Sequence, residues 1–216
     1  MIHRSIQIAC RRLISAREAL KRYGEAEAQA NKEEAKRHWT DFLMALSSIY
    51  NALLEGGNCC GSCKGWMGKQ LNLRDKDPLM HYLHQARNSV EHALEESVAY
   101  APQIVFINPK PGENHVLSLS FEMADQQNEE PTGFAKIEVG YHDGRVEDVT
   151  DKYTHSYSGS VFVLTTVTNS KFGDTFRPPK EHLGKPLGEC FPSVAGQLGI
   201  AYCERMIEEA RARRCK

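Results

Sequence analysis

The amino-acid sequence predicts an α+β protein with a helical bundle first, a small antiparallel β-sheet elaboration next, and a final helix. Two observations indicate this fold class. Apolar residues recur every three or four positions over the first hundred residues, and they alternate with polar residues after residue 102. The composition agrees, since 41% of the 216 residues are hydrophobic and 25% are charged, as in globular proteins. We therefore expect a helical bundle over 1–101, a β elaboration with an irregular connection over 102–192, and a C-terminal helix over 193–216 that packs back on the bundle.

Two amphipathic helices are predicted at the start of the chain. The first covers 2–23, where apolar or small residues fall on one face of a helix, and the second runs from about Lys32 to Gly56. The second helix is expected to end at Gly56-Gly57, because glycine readily takes the backbone conformation that terminates a helix. The apolar positions of the two helices are Ile2, Ile6, Ala9, Leu13, Ala16 and Leu20, then Trp39, Phe42, Leu43, Leu46, Ile49, Tyr50, Leu53 and Leu54.

A third helix is predicted to begin at Asp77-Pro78 and to run to about Tyr100. Aspartate accepts hydrogen bonds from the free N–H groups of a first helical turn, and proline is favoured at the first helical position. About 20 residues separate the second helix from the third, which is long for a connection within a bundle. We expect this stretch to be either mobile or to have a role of its own.

The residues after Pro102 show the alternation of half-buried strands. A hairpin-type turn is expected at 142–145, a buried strand at 161–167, and an irregular connection over 171–192, which holds four of the nine prolines. A last helix follows over about 193–213. The alternating apolar positions of the strands are Leu117, Leu119, Phe121 and Met123, then Ile137, Val139 and Tyr141.

Three of the seven cysteines lie between the second and third helices, at Cys59, Cys60 and Cys63. Because the chain has no recognisable export signal, we expect reduced thiols. Cys60-x-x-Cys63 has the spacing of half a zinc ribbon, but no second pair follows at the expected distance. No metal site is therefore predicted, and whether these cysteines bind a metal with a remote ligand stays open.

The third helix has a polar face that is richer than solvation requires. With about 100° per residue, Arg87 lies just past one edge of the apolar stripe and His92 just past the other, about 140° apart. His84, Asn88 and Glu91 lie on the arc between them. Because two side chains so far apart do not converge on one atom, we expect two copies to pack polar face to polar face across a two-fold axis. This arrangement predicts a homodimer.

Arg87-Asn88-x-x-x-His92, late in an all-helical N-terminal region, resembles the R-x4-6-H motif of the HEPN superfamily (higher eukaryotes and prokaryotes nucleotide-binding). The resemblance covers about residues 1–100, and the strand region has no counterpart in the core of that family. It implies an up-down bundle of four or five helices that usually dimerises and builds a metal-independent ribonuclease site from both copies. Arg87 and His92 are then the catalytic pair, with Asn88, His84 and Glu91 as binding residues. Many members of the family are inactive and serve as binding or scaffold modules.

The residue types suit that chemistry. Cleavage of RNA by its own 2′-hydroxyl needs a base, an acid and positive charge near the phosphorane-like transition state. His92 and its symmetry mate titrate near neutrality and can take the two proton-transfer roles. Arg87 offers a fixed fork of donors for phosphate oxygens, and Asn88 can orient the imidazole or hold phosphate.

The same residues also fit an ordinary solvated helix. Arg87 and Glu91 are four residues apart, the spacing of a surface ion pair, and Asn88 and His92 are likewise neighbours on the helix surface. Both interpretations stay open at this point. The other histidines are expected to have structural or surface positions, with His38 in packing and His115, His142, His155 and His182 at the surface.

The charge distribution limits the possible partners. Residues 1–22 carry six basic side chains against one acid, a net +5, whereas 122–151 carry nine acids against two bases, a net −7. A chain that is near neutral overall is not expected to coat nucleic acid, and any polyanion would bind at the basic helical start. No apolar run approaches the length of a membrane span.

We therefore expect a cytoplasmic protein without a cofactor, whose partners are a second copy and RNA or a nucleotide. The expected activity is that of a metal-independent endoribonuclease. The alternative is a non-catalytic module of the same architecture that dimerises or binds a nucleotide or a protein.

Overall fold

The structure is a computed structural model that describes residues 3–93, 97–101, 105–107, 116–123, 134–141, 145–148, 155–157, 161–168, 173–188 and 190–213. Within these ranges, the side chains of 91–93, 100–101, 105–107, 116–123, 134–141, 148, 155–157 and 161 are not described. The helices are α1 (His3–Ala28), α2 (Lys32–Gly57), α3 (Gly61–Lys76), α4 (Pro78–Ala93) and α5 (Pro192–Ala212). With its small antiparallel sheets, the chain is an α+β protein, as the sequence predicted.

The described strands range from two to eight residues. They are β1 (Val98–Ala101), β2 (Val105–Ile107), β3 (Val116–Met123), β4 (Phe134–Tyr141), β5 (Val146–Asp148), β6 (His155–Tyr157), β7 (Val161–Leu164), β8 (Val167–Thr168), β9 (Thr175–Phe176), β10 (Glu181–His182) and β11 (Lys185–Pro186). By its internal contacts the chain divides into two compact units, one of residues 1–102 with 160–216 and one of residues 103–159. The segment 160–192, which the sequence places with the strands, therefore groups with the helices.

The smaller unit holds the antiparallel pairs β3–β4, β4–β5 and β2–β6. β3 and β4 contain the two stretches whose apolar residues alternate, and the alternation predicts these strands correctly. The hairpin turn predicted at 142–145 falls between β4 and β5, but 142–144 lie outside the described residues.

The most extensive helix–helix contact is between α1 and α2. The turn between them has Ala30 at a φ of 53°, and the Asn31 side chain then accepts the Glu34 N–H at 3.3 Å to start α2. Facing aromatic rings fill the contact, with the centroids of Tyr23 and Trp39 5.7 Å apart. The apolar period read from the sequence therefore identifies most of this core, although Leu20 is only partly buried and Leu54 is 41% exposed.

Residues 61–76 form helix α3, and the prediction of a connection there was wrong. Gly61, Gly65 and Gly68 lower the helix propensity of this stretch, and its apolar residues do not form one stripe. Tertiary packing overrides the weak propensity, because one side of α3 is buried in the larger unit. The buried residues are Cys63, Trp66, Met67 and Gln70.

Helix α4 begins where the sequence predicted, but its predicted extension to Tyr100 was wrong. Val98–Ala101 instead form β1, which pairs antiparallel with β7 from Val98↔Leu164 to Ala101↔Val161. The buried Ser97 anchors the start of β1, since its Oγ accepts the Trp39 indole N–H at 3.0 Å.

The strand predicted over 161–167 is divided into β7 and β8. Thr165, at the break between the two strands, links α4 to the start of β1. Its carbonyl accepts the Tyr82 hydroxyl at 2.6 Å, and its N–H donates to the Ser97 carbonyl at 3.1 Å. The connection predicted as irregular over 171–192 contains β9, which pairs with the preceding β8, and the short β10–β11 pair.

Helix α5 packs against α1, α2 and α4. A Cβ at Gly196 would lie 2.5 Å from Leu20 Cδ1, so the missing side chain lets α5 approach α1 closely. An ion pair between Arg17 and Glu204 joins the same two helices at the surface. None of the described helices has the length and the apolar character that crossing a membrane requires.

Candidate functional site

The candidate site lies on α4, and the side chain of Asp77 fixes the start of that helix. Asp77 Oδ1 accepts the Met80 N–H at 2.9 Å, which is the capping role that the sequence predicted. The apolar side of α4 is buried and includes Leu79, Met80, Tyr82, Leu83 and Ala86. The other side of α4, which carries the predicted site residues, is therefore the side that stays partly exposed.

Three of the five predicted site residues have described side chains. His84, Arg87 and Asn88 are all partly buried, and Arg87 Nη1 donates a hydrogen bond to Asn88 Oδ1 at 3.2 Å. Glu91 and His92 lie in the last turn of α4, and their side chains are outside the described ones. The predicted pairing of Arg87 with His92 across two copies thus stays a prediction.

His84 and Arg87 line a narrow crevice between α2, α3 and α4 that has room for about one water molecule. Tyr50 comes from α2 and Arg74 from α3. The Arg74 guanidinium lies 5.4 Å from the centre of the Tyr50 ring, a cation–π distance, and its side chain is only 16% exposed. The crevice therefore brings together two guanidinium groups and one imidazole.

The electrostatics of the crevice keep His84 neutral at pH 7. Burial lowers the pKa of His84 to about 4, with Arg74 the next largest cause and Arg87 a further one, while Asp75 opposes them. Asp75 also accepts two hydrogen bonds from Arg74, at 2.9 and 2.8 Å. His84 is thus a neutral hydrogen-bonding group, and it is a poor proton donor or acceptor for catalysis at neutral pH.

His81 lies one turn before His84 and is held by its neighbours. Its Nδ1–H donates to the Asp75 carbonyl at 2.8 Å, and its Nε2 accepts from Gln85 at 3.3 Å. The ring also lies against Phe176, with centroids 5.1 Å apart. These contacts are typical of a residue that fixes local structure.

The Tyr50 hydroxyl is directed into the protein from the crevice wall. Burial raises the pKa of Tyr50 above its ordinary value, with smaller effects from Cys203 and Tyr202. Burial likewise raises the pKa of Cys203 to about 12, so this thiol stays protonated. Neither group is a nucleophile at neutral pH.

A second polar cluster, between Asp77 and His182, was missed by the sequence reading. The expectation of a surface position for His182 was wrong: it is 8% exposed, and its Nδ1–H donates to Asp77 Oδ1 at 2.9 Å. Asp77 Oδ2 accepts the Leu183 N–H at 2.6 Å. The carboxylate thus joins α4 to the β10–β11 hairpin, a role that the Asp-Pro dipeptide does not reveal.

Of the other histidines, His38 is buried on α2, 3.3 Å from Glu34 and 3.7 Å from Asp41, in agreement with a packing position. His115 and His142 lie outside the described residues, as does the side chain of His155.

The cysteines between α2 and α3 form the only cluster with metal-ligand chemistry among the described residues. The Sγ atoms of Cys59, Cys60 and Cys63 all lie within 4.8 Å of one another. The thiol of Cys60 caps α3, since its Sγ accepts the Cys63 N–H at 3.4 Å.

Comparisons with known proteins identify no relative: no protein-family profile, no curated protein and no solved structure matches this chain.

Proposed function

We propose that this protein is a HEPN-like, metal-independent endoribonuclease that acts as a homodimer, with Arg87 and His92 of both copies in one site. The observation that best supports the proposal is the crevice beside the motif, where Arg74, His84 and Arg87 come together. A phosphodiester is negatively charged, and guanidinium groups bind its oxygens through matched donors. Asp75 offsets part of the charge on Arg74, so the net positive charge at the crevice is small and does not suit a long polyanion.

Neither of the two described histidines nearest the crevice, His84 and His81, is suited to transfer the protons of RNA cleavage. His84, with a pKa of about 4, carries too little charge at pH 7 to protonate a leaving oxygen. His81 is engaged with Asp75 and Gln85. In the proposed mechanism His92 of one copy takes the 2′-hydroxyl proton and His92 of the second copy protonates the leaving 5′-oxygen. Arg87 then holds the phosphate oxygens, and no metal is required.

The test is cleavage of RNA by the purified protein in the presence of EDTA. We expect His92→Ala and Arg87→Ala each to reduce cleavage by about 100-fold or more, a loss typical of removing one acid–base or charge-stabilising group. Their circular dichroism should match that of the parent. Arg37→Ala is the matched control, because Arg37 is an exposed arginine on α2 that does not line the crevice, and it should retain cleavage. Equal cleavage by the parent and His92→Ala would reject the proposal.

A second candidate is a non-catalytic module that uses the same face of α4 for dimerisation or for binding a nucleotide. Two observations favour it: the chain has a net charge of −1, and Arg87 is partly buried and hydrogen-bonded to Asn88. Sedimentation equilibrium separates the candidates. A parent dimer without ribonuclease activity that dissociates in Arg87→Ala supports the module, whereas EDTA-resistant cleavage by the parent supports the enzyme.

A further inference from the structure

Three thiols converge at the junction of α2 and α3, where the sequence had left a metal site open. Cys59 is exposed, Cys60 is partly buried and Cys63 is buried, and their Sγ atoms lie within 4.8 Å of one another. The cluster therefore has one side open to solvent and one side anchored in the larger unit. An ion from solution can reach it without the fold opening.

The spacing is close to that of a thiolate metal site. With a Zn–S bond of about 2.3 Å, two ligands of a tetrahedral ion lie about 3.8 Å apart. The thiols are within about 1 Å of that separation, and rotation of the exposed Cys59 side chain can close much of the difference. Cysteine is also the ligand that zinc and other soft ions prefer over magnesium or calcium.

Two of the three thiols lie at the start of α3. Cys60 is the N-cap of this helix and Cys63 lies in its first turn, the end at which the helix dipole favours a net negative charge such as that of zinc with three thiolates. The Cys63 thiol donates to the Arg213 carbonyl at 3.9 Å, at the end of α5. Metal binding would replace the proton in this contact.

The end of α5 is fixed against α3 independently of the thiols. The Trp66 indole N–H and the Gln70 amide donate to Glu209 Oε2 at 3.0 and 3.1 Å, and the Arg213 guanidinium lies 5.1 Å from the centre of the Trp66 ring. A metal bound by the thiols would therefore sit where α2, α3 and α5 already meet.

We propose that Cys59, Cys60 and Cys63 bind one structural Zn²⁺ ion as thiolates. Each thiol releases its proton to solvent on binding, the metal keeps its oxidation state, and no sulfur is oxidised. Tetrahedral zinc takes a fourth ligand, and a solvent water can occupy that position.

The test uses the full chain, reduced and stripped of metal with a chelator. Titration with Co²⁺ should give a thiolate-to-cobalt charge-transfer band that saturates at one ion per chain, and Zn²⁺ should displace the cobalt. Zn²⁺ should also raise the melting temperature of the parent, because it binds the folded chain. Absence of a saturable band, or a melting temperature that zinc leaves unchanged, would overturn the proposal.

Cys60→Ser is the most informative variant. Serine caps helices well, so the variant keeps the start of α3 while it loses a ligand. Mutating a residue that only hydrogen-bonds a metal ligand costs about 10–100-fold in metal affinity. Because Cys60 is itself a ligand in the proposed site, we expect Cys60→Ser to lower zinc affinity by more than that. Cys59→Ser, at an exposed position, should lose affinity without affecting the fold, and Cys10→Ser on α1 is the control that should bind zinc like the parent.

Zinc binding by Cys59→Ser and Cys60→Ser at parent strength would contradict the three-thiol site.

Discussion

Asp77→Ala removes three hydrogen bonds that hold different parts of the larger unit together. The carboxylate caps α4 through the Met80 N–H and holds the β10–β11 hairpin through His182 and the Leu183 N–H. Asp77 is 7% exposed, so the donors that remain are poorly placed to find water.

The expected cost follows from these three contacts. Loss of the cap costs about 1 kcal/mol. The buried His182 donor and the Leu183 N–H, left without their acceptor, together add about 2 kcal/mol. The free energy of unfolding should therefore fall by about 3 kcal/mol, which for a chain of this size lowers the melting temperature by about 6–12 °C.

Asp77→Ser separates the two roles of the side chain. Serine caps α4 but is too short to reach the hairpin, so this variant should lose only about 2 kcal/mol. Urea denaturation followed by circular dichroism measures both variants. A double-mutant cycle of Asp77→Ser with His182→Gln should give a coupling energy of about 1 kcal/mol. The reasoning fails if Asp77→Ala costs less than about 1 kcal/mol, or if the serine and alanine variants are equally stable.

Three further predictions concern other parts of the larger unit. The pKa of His84 is lowered from its ordinary 6.5 to about 4 in the folded chain, so between these pH values the unfolded chain binds a proton at His84 more readily than the folded chain does. Stability should fall as the pH decreases from about 6.5 to about 4, and His84→Gln should flatten this dependence in denaturation series. Leu183 has a φ of 50° and is 43% exposed, so Leu183→Asn should raise the urea midpoint by relieving about 0.5–1 kcal/mol of backbone strain, and a lower midpoint would contradict this. Trp39→Phe leaves the buried Ser97 hydroxyl without its indole donor and should cost about 1–2 kcal/mol in the same assay, whereas an unchanged midpoint would show the bond to be dispensable.

The helices that the sequence identifies are those with one apolar stripe. α1 and α2 bury most of the positions that recur every three or four residues, with the exposed Leu54 an exception, and the start of α4 follows from the cap at Asp77. The sequence does not predict α3, because its glycines and scattered apolar residues form no apolar stripe. Its packing partners come from other helices. The end of α4 also depends on a distant segment, since Val98 pairs with Leu164.

For the candidate site too, the sequence predicts which residues share a face of one helix but not which residues of other elements pack beside them. A helical wheel places His84, Arg87 and Asn88 on one polar arc, and all three are indeed neighbours on the partly buried side of α4. The contribution of Arg74 and Tyr50 was not predictable, because it depends on how α2 and α3 pack around that side. The burial of His182 depends on the fold of a hairpin a hundred residues away from Asp77 in sequence.

The β1–β7 pair has a consequence for the engineering of the chain. Because Ala101 lies opposite Val161, the backbone leaves the helical unit and returns to it at points about 5 Å apart. Residues 103–159 therefore connect the adjacent ends of β1 and β7. A tight turn could connect the same two strand ends. Replacing these residues with a short Asn-Gly turn should leave a folded helical protein, and the α4 face could then be assayed without the strands.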